Sequence, residues 1–108
     1  MMTAHASIAD ERSFDRLVDF DAATTLLRAF ANPHRFKILC LLRQGELTVG
    51  ELEMAIGIRQ PSMSQQLARL REDGIVACRR DGKSMIYSIA SPRAQRLVDA
   101  LICIHEAA

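Results

Sequence analysis

Three cysteines, three histidines and a short run of amide and hydroxyl side chains are the residues of this 108-residue chain whose chemistry reaches beyond packing. Cys40, Cys78 and Cys103 supply thiols. In a reducing compartment such thiols serve switching or ligation rather than permanent cross-linking. Gln60, Ser62, Ser64 and Gln65 lie within six positions of one another. Glutamine can bridge N6 and N7 of adenine, and serine adapts to donors or acceptors on a base edge. Arg69, and then Arg79, Arg80 and Lys83, follow as cations suited to phosphates or to a minor groove. No nucleophile, base and orienting group stand at catalytic spacing, and no phosphate loop is present. The expectation is a binding protein, not an enzyme, with no catalytic residue and no cofactor.

Those side chains need a scaffold, and the stretch around them spells one. Thr48 and Glu51 have the spacing of a capping box, in which each side chain satisfies a free backbone donor of a helix start. Leu52, Ala55 and Ile56 then share an apolar face. Gly57 stands where a helix end commonly needs a left-handed residue. A second helix is predicted from near Gln60-Pro61 to Asp73, with Met63, Leu67 and Leu70 facing a core and the amide and hydroxyl side chains outside. That is a helix-turn-helix. Residues 75–80 and 85–89 are rich in β-formers and flank Asp81-Gly82, which predicts a hairpin with a basic tip.

The flanks read as helices. Residues 1–12 lack periodicity and are expected to be a disordered leader, so the single domain is residues 13–108. Phe14, Leu17, Val18, Ala22, Leu26, Ala29 and Phe30 recur at helical spacing, predicting a first helix over residues 13–31 that Asn32-Pro33 terminates. A second runs from about Pro33 to Leu42, apolar on more than one side and therefore buried between neighbours. Ser91-Pro92 opens the last helix, with Ala94, Leu97, Leu101 and Ile104 as its stripe. The predicted class is mainly α with a small β part (α+β): a winged helix-turn-helix in the order ααααββα, with extra N- and C-terminal dimerisation helices. The stripes of those outer helices most simply bury one another across a two-fold axis, giving a homodimer on half-sites about 34–36 Å apart in double-stranded operator DNA.

Composition sets the outer bounds. One domain of this length builds one core. The longest apolar runs, residues 38–42 and 100–104, are five residues each and far short of a membrane span. The first nine residues lack a basic start followed by an apolar core, so no export signal is expected and a cytoplasmic location is. Net charge is +1. Residues 1–21 hold five acids against two arginines, whereas residues 59–83 hold six cations against three acids, so positive charge collects where a phosphate backbone would be met.

From about Leu26 to Ala100 the chain resembles the ArsR/SmtB family of bacterial repressors. The resemblance rests on Ala31-Asn32-Pro33-His34-Arg35, Ile38-Leu39-Cys40-Leu41-Leu42, Gly45-Glu46-Leu47-Thr48-Val49-Gly50-Glu51-Leu52 and the run from Ser64 to Val76. It implies a homodimeric winged-helix repressor that leaves its operator when an inducer binds. Arsenic- and cadmium-type members carry two cysteines where this chain has Thr48 and Gly50, which cannot replace soft ligands. The acid and histidine pairs of zinc- and nickel-type members are not matched by Asp99, His105 and Glu106, so no metal site is expected.

The stretch from Ile56 to Leu67 is most similar to the BigR-type, sulfide- and persulfide-responsive branch. That similarity implies a switch of two cysteines, with reactive sulfur species or another oxidant as inducer. Cys40 corresponds to the first. The second falls by register at Glu106, and Cys103 lies three residues earlier, a shift of about 60° and 4.5 Å on a helix. Cys40 and Cys103 are thus the candidate switch, and Cys78 is expected to be a packing residue.

Overall fold

The computed structural model describes residues 17–107. The expected leader, residues 1–12, lies outside them. The elements are α1 (Phe20–Phe30), α2 (Pro33–Leu42), β1 (Leu47–Thr48), α3 (Val49–Ile56), α4 (Ser62–Glu72), β2 (Val76–Asp81), β3 (Ser84–Ile89) and α5 (Pro92–Ala107).

Each helix start has a local cause. Asp19 accepts from the Ala22 N–H at 3.1 Å, so α1 begins at Phe20 and the chain at Val18-Asp19 is not helical. The periodicity over residues 13–31 spans this break, because apolar spacing does not register a capping aspartate. Asn32 accepts from the Arg35 N–H at 3.1 Å, and Pro33, which has no N–H to satisfy, enters the first turn of α2. The capping box on α3 is complete, with Thr48 N–H to Glu51 at 2.8 Å and Glu51 N–H to Thr48 Oγ1 at 3.1 Å. Ser91 Oγ accepts from the Ala94 N–H at 3.1 Å and opens α5.

Two helix ends need glycine. Gly57 closes α3 at φ 86°. Gly74, at φ 72°, follows α4; its N–H reaches Arg71 O at 3.0 Å while Ile75 N–H reaches Leu70 O at 3.0 Å. This is the paired bonding of a Schellman end, and it turns the chain directly into the wing.

The sheet is antiparallel in the order β1-β3-β2. Asp81 pairs with Ser84, so the wing turn is Gly82-Lys83, one residue later than Asp81-Gly82 suggests. The two-residue β1, which pairs Leu47 with Tyr87 and Thr48 with Ile86, is an addition to the expected element order. Two residues are too few for an alternating pattern to reveal.

One core joins the elements. Ala29, Ile38, Leu39, Leu42, Leu52, Met63, Leu67, Leu70, Ile75, Val76, Ala94 and Val98 are all buried, and they come from every helix and the wing. Ala55, expected on the buried face of α3, is exposed, since Leu52 and the half-buried Ile56 suffice to seat so short a helix. On α5 the buried line is Ala94 and Val98. Leu97 and Leu101 are half-buried beside it, and Ile104 is 61% exposed.

Candidate nucleic-acid interface and thiol site

The reading helix is fixed from three sides. Met63, Leu67 and Leu70 anchor it in the core at 0–1% exposure. The C-terminal Schellman turn ties it to the wing. Arg35 makes the third tie: its guanidinium donates to Ala29 O (3.2 Å) and Arg28 O (3.1 Å) at the end of α1 and to Gln66 Oε1 (3.1 Å) on α4. A cation over the last carbonyls of a helix is favourable both as a donor and towards the helix dipole. The long side chain of Arg35 thus spans three helices.

The expected DNA contacts divide by what else they hold. Gln65 is exposed on the outer face of α4, Ser62 is half-buried at its first position, and Ser64 is exposed. Gln60 caps the helix: its Oε1 accepts from the Ser64 N–H at 2.9 Å and from the Ser64 hydroxyl, leaving the amide nitrogen with two donors to offer. Arg69 leans along the helix to Asp73 at 3.6 Å. On the wing, Arg79 is held by both oxygens of Glu46 at 2.9 and 3.0 Å. That bond keeps the Glu46 carboxyl below the usual range and raises the Arg79 guanidinium. Arg80 and Lys83 stand exposed at the wing end without an ion pair among the described residues.

Between α4 and β3 lies a cleft of about 470 Å³ whose polar lining is Gln60, Ser64, Arg71, Glu72 and Tyr87. Arg71 and Tyr87 are absent from the sequence-derived contact set. The repeat Gln60, Ser64, Arg71, at helical spacings of four and seven, is the signal that carried this stripe.

The thiols are dispersed. Cys40, half-buried on α2, opens on a cavity of about 360 Å³ lined by Phe36, Leu101, Ile102, His105 and Glu106. Burial pushes its thiol above the ordinary value, and the nearby Arg43 guanidinium only partly opposes this. Arg43 also binds Asp99 of α5 at 2.7 Å, a bond that lowers the Asp99 carboxyl. Glu106, the position given by register, is among the α5 residues that line this cavity, with Leu101, Ile102 and His105. Cys103 is exposed and outside the cavity lining. On α5 the three-residue offset turns Cys103 about 60° from Glu106, to the edge of the arc of Leu101, Ile102, His105 and Glu106 that lines the cavity. Cys78 is half-buried on β2, directly paired with Tyr87. Among the described residues no group of three or more His, Cys, Asp or Glu side chains could hold a metal ion.

The α2 cap, α3 and the reading helix, with only the first two residues of the wing, fall within one stretch, residues 32–77, that matches the family described as bacterial regulatory protein, arsR family. A biofilm growth-associated repressor of Agrobacterium fabrum is 51% identical over 79 residues, covering 73% of this chain and 68% of its own. The chain belongs to the ArsR family of bacterial regulatory proteins. Two solved ArsR-like structures superpose well. The transcriptional repressor BigR from Xylella fastidiosa has 45% identity and a TM-score of 0.75, over 78% of this chain and 86% of that one. A homodimeric winged helix-turn-helix DNA-binding domain from Mycobacterium bovis has 30% identity and a TM-score of 0.74, over 85% of each chain. The winged helix-turn-helix of this ArsR-family member is thus the family's fold, and its relatives are regulators rather than enzymes.

Proposed function

We propose that this protein is a homodimeric transcriptional repressor that binds double-stranded operator DNA through α4 and the wing, and that thiol chemistry at Cys40 releases it. The observation carrying the DNA reading is the outer face of α4. It presents Gln65 and Ser64 to solvent, with Ser62 half-buried beside them, from a helix whose opposite face is fully buried, with Arg80 and Lys83 on the adjacent wing. Met63, Leu67 and Leu70 fix the height and rotation of those groups, as base-edge recognition requires. A repressor role is supported by the named function of the Agrobacterium and Xylella relatives.

The dimer is supported by the outer helices. Leu17, Phe20, Leu27 and Ile104 are 46–63% exposed, and a groove of about 560 Å³ runs between α1 and α5. A second copy would cover these apolar side chains, and the Mycobacterium bovis neighbour is homodimeric. A cytoplasmic location follows from such a role.

In the switch, the Cys40 thiolate attacks a low-molecular-weight persulfide, takes its outer sulfur and releases the thiolate. The Cys103 thiolate then attacks the Cys40 sulfur and displaces sulfide to close a disulfide. Where a second persulfide has first passed its outer sulfur to Cys103, the Cys40 persulfide instead displaces sulfide from it to leave a trisulfide bridge. Added sulfur atoms relax the separation of about 4.4–6.8 Å between Cα atoms that a plain disulfide demands. A second reading, release by a small ligand, has its own observation: the cavity beside Cys40 is lined mainly by apolar groups and by Glu106 rather than by a second thiol.

Gel shifts with wild type, Cys40→Ser and Cys103→Ser, with and without a persulfide donor, separate these. The pair predicts that the donor releases DNA from wild type alone. Release persisting in Cys103→Ser but lost in Cys40→Ser leaves Cys40 as a single-thiol switch. An unchanged response in Cys40→Ser would sink the thiol reading.

A further inference from the structure

The stripe of α4 that faces the wing continues past the expected base contacts to Arg71 and forms the polar wall of a cleft. On a helix of 100° per residue, Ser64 and Arg71 lie about a quarter-turn from the core line of Met63, Leu67 and Leu70. Gln65 lies near the opposite side. A helix placed with Gln65 towards base edges therefore turns Ser64 and Arg71 towards β3. The wing faces them with Tyr87 and Met85. A helix in a major groove about 12 Å wide is flanked by two sugar–phosphate strands, and a wing beside it reaches the neighbouring minor groove. One strand must then pass between helix and wing.

We propose that the cleft between α4 and β3 seats this strand, with Arg71 and Tyr87 as its phosphate contacts. The inference rests on the DNA-binding reading and adds to it the two residues that hold the duplex in register.

The cleft's chemistry fits a phosphodiester. Arg71 is exposed and, unlike Arg69 and Arg79, has no carboxylate partner among the described residues. Its guanidinium lies close enough to Tyr87 to act on the phenol, whose ionisation is pushed up first by burial and then by the adjacent Cys78 thiol, with Arg71 acting the other way. The Tyr87 hydroxyl, which shares a hydrogen bond with the Cys78 side chain, keeps its proton and can turn it towards a phosphate. Gln60 adds the two amide donors left free by its capping role. The opposing group is Glu72, whose carboxylate also lines the cleft and repels an anion there. Tyr87 is held by both neighbours of its strand, opposite Leu47 on β1 and Cys78 on β2. The short β1 is thereby given a purpose, since it pins the strand that carries the contact.

The test is fluorescence anisotropy of the full chain, across a range of salt. The probes are a duplex of about 30 base pairs, selected by the wild type from a random library, and a scrambled duplex of the same composition. Arg71→Gln is expected to weaken both about three- to tenfold and to lower the salt slope by about one, the signature of one lost phosphate contact. Tyr87→Phe weakens both by less and leaves the slope intact. Glu72→Gln tightens both, and Arg71→Lys restores the slope. A purely structural Arg71 would not move the slope; an unchanged slope in a folded Arg71→Gln protein overturns the proposal and leaves the DNA reading standing. Absence of salt-dependent binding by wild type overturns both.

Discussion

The α4 face and the α2–α5 face of this protein are held in different ways. On the first, a short helix is anchored by three side chains at 0–1% exposure, capped by Gln60, closed by a Schellman turn and tied sideways by Arg35. On the second, the join of α2 to the outer part of α5 is an exposed Arg43–Asp99 ion pair above an open cavity, and Ile104 beyond it is 61% exposed. Local opening is easiest where few apolar contacts close a segment. The reading face is therefore rigid within one chain, whereas the end of α5 takes its order from whatever covers it. The proposed function uses that asymmetry: fixed geometry for reading sequence on α4, and a movable join for receiving a signal at α2 and α5.

The largest effect should come from removing an anchor. Leu67→Ala, at a site 1% exposed, is expected to cost about 2–5 kcal/mol in urea unfolding, because the core loses both transfer energy and packing. Ile104→Ala should leave unfolding nearly unchanged at high protein concentration and instead raise the concentration at which the dimer dissociates in sedimentation. Comparable losses of unfolding free energy from both substitutions would erase the distinction between the faces.

Arg35→Gln is the next in size. It removes bonds to Ala29 O, Arg28 O and Gln66, the first and last of them part-buried, and charge-assisted bonds of this kind are worth about 1.5–3 kcal/mol in total effect when a partner is left unpaired. If the tie also positions α4, the affinity for the selected duplex should fall more than that for the scrambled one. A stability loss with equal weakening of both duplexes would confine Arg35 to holding the fold.

What the sequence made legible follows the same division. Thr48, Glu51, Gly57, Met63, Leu67 and Ser91 act through neighbours within a few positions or through helical period, and each does what its local pattern predicts. The pairing of the two-residue β1 and the Arg35 bond to Gln66 are set by partners 31 to 40 positions away, and no local pattern encodes them. The same limit applies to the thiols. A count along α5 placed Glu106 at the second switch position, and the structure puts that residue in the lining beside Cys40. How close Cys103 comes to Cys40 depends on the packing of α5, which periodicity does not report.

The smallest effect concerns how Cys40 reacts. Burial disfavours the charged thiolate, so the folded thiol titrates above the ordinary value of about 8.5, and the positive charge of Arg43 pulls it back only in part. The nucleophile is the thiolate, so alkylation of Cys40 by iodoacetamide should be slow at neutral pH and climb through a midpoint above that of a free thiol. Removing the charge with Arg43→Gln raises the midpoint further and slows alkylation a few-fold at pH 8, with the change confined to Cys40. Site-resolved mass spectrometry follows Cys40 and the exposed Cys103 in one sample. The substitution also releases Asp99, whose carboxylate is negative near neutral pH and moves the Cys40 thiol in the same upward direction. Both consequences of losing Arg43 thus carry one sign. A faster Cys40 in Arg43→Gln would mean that the ion pair acts mainly as a latch closing α5 over the thiol, and that access rather than ionisation controls its reactivity.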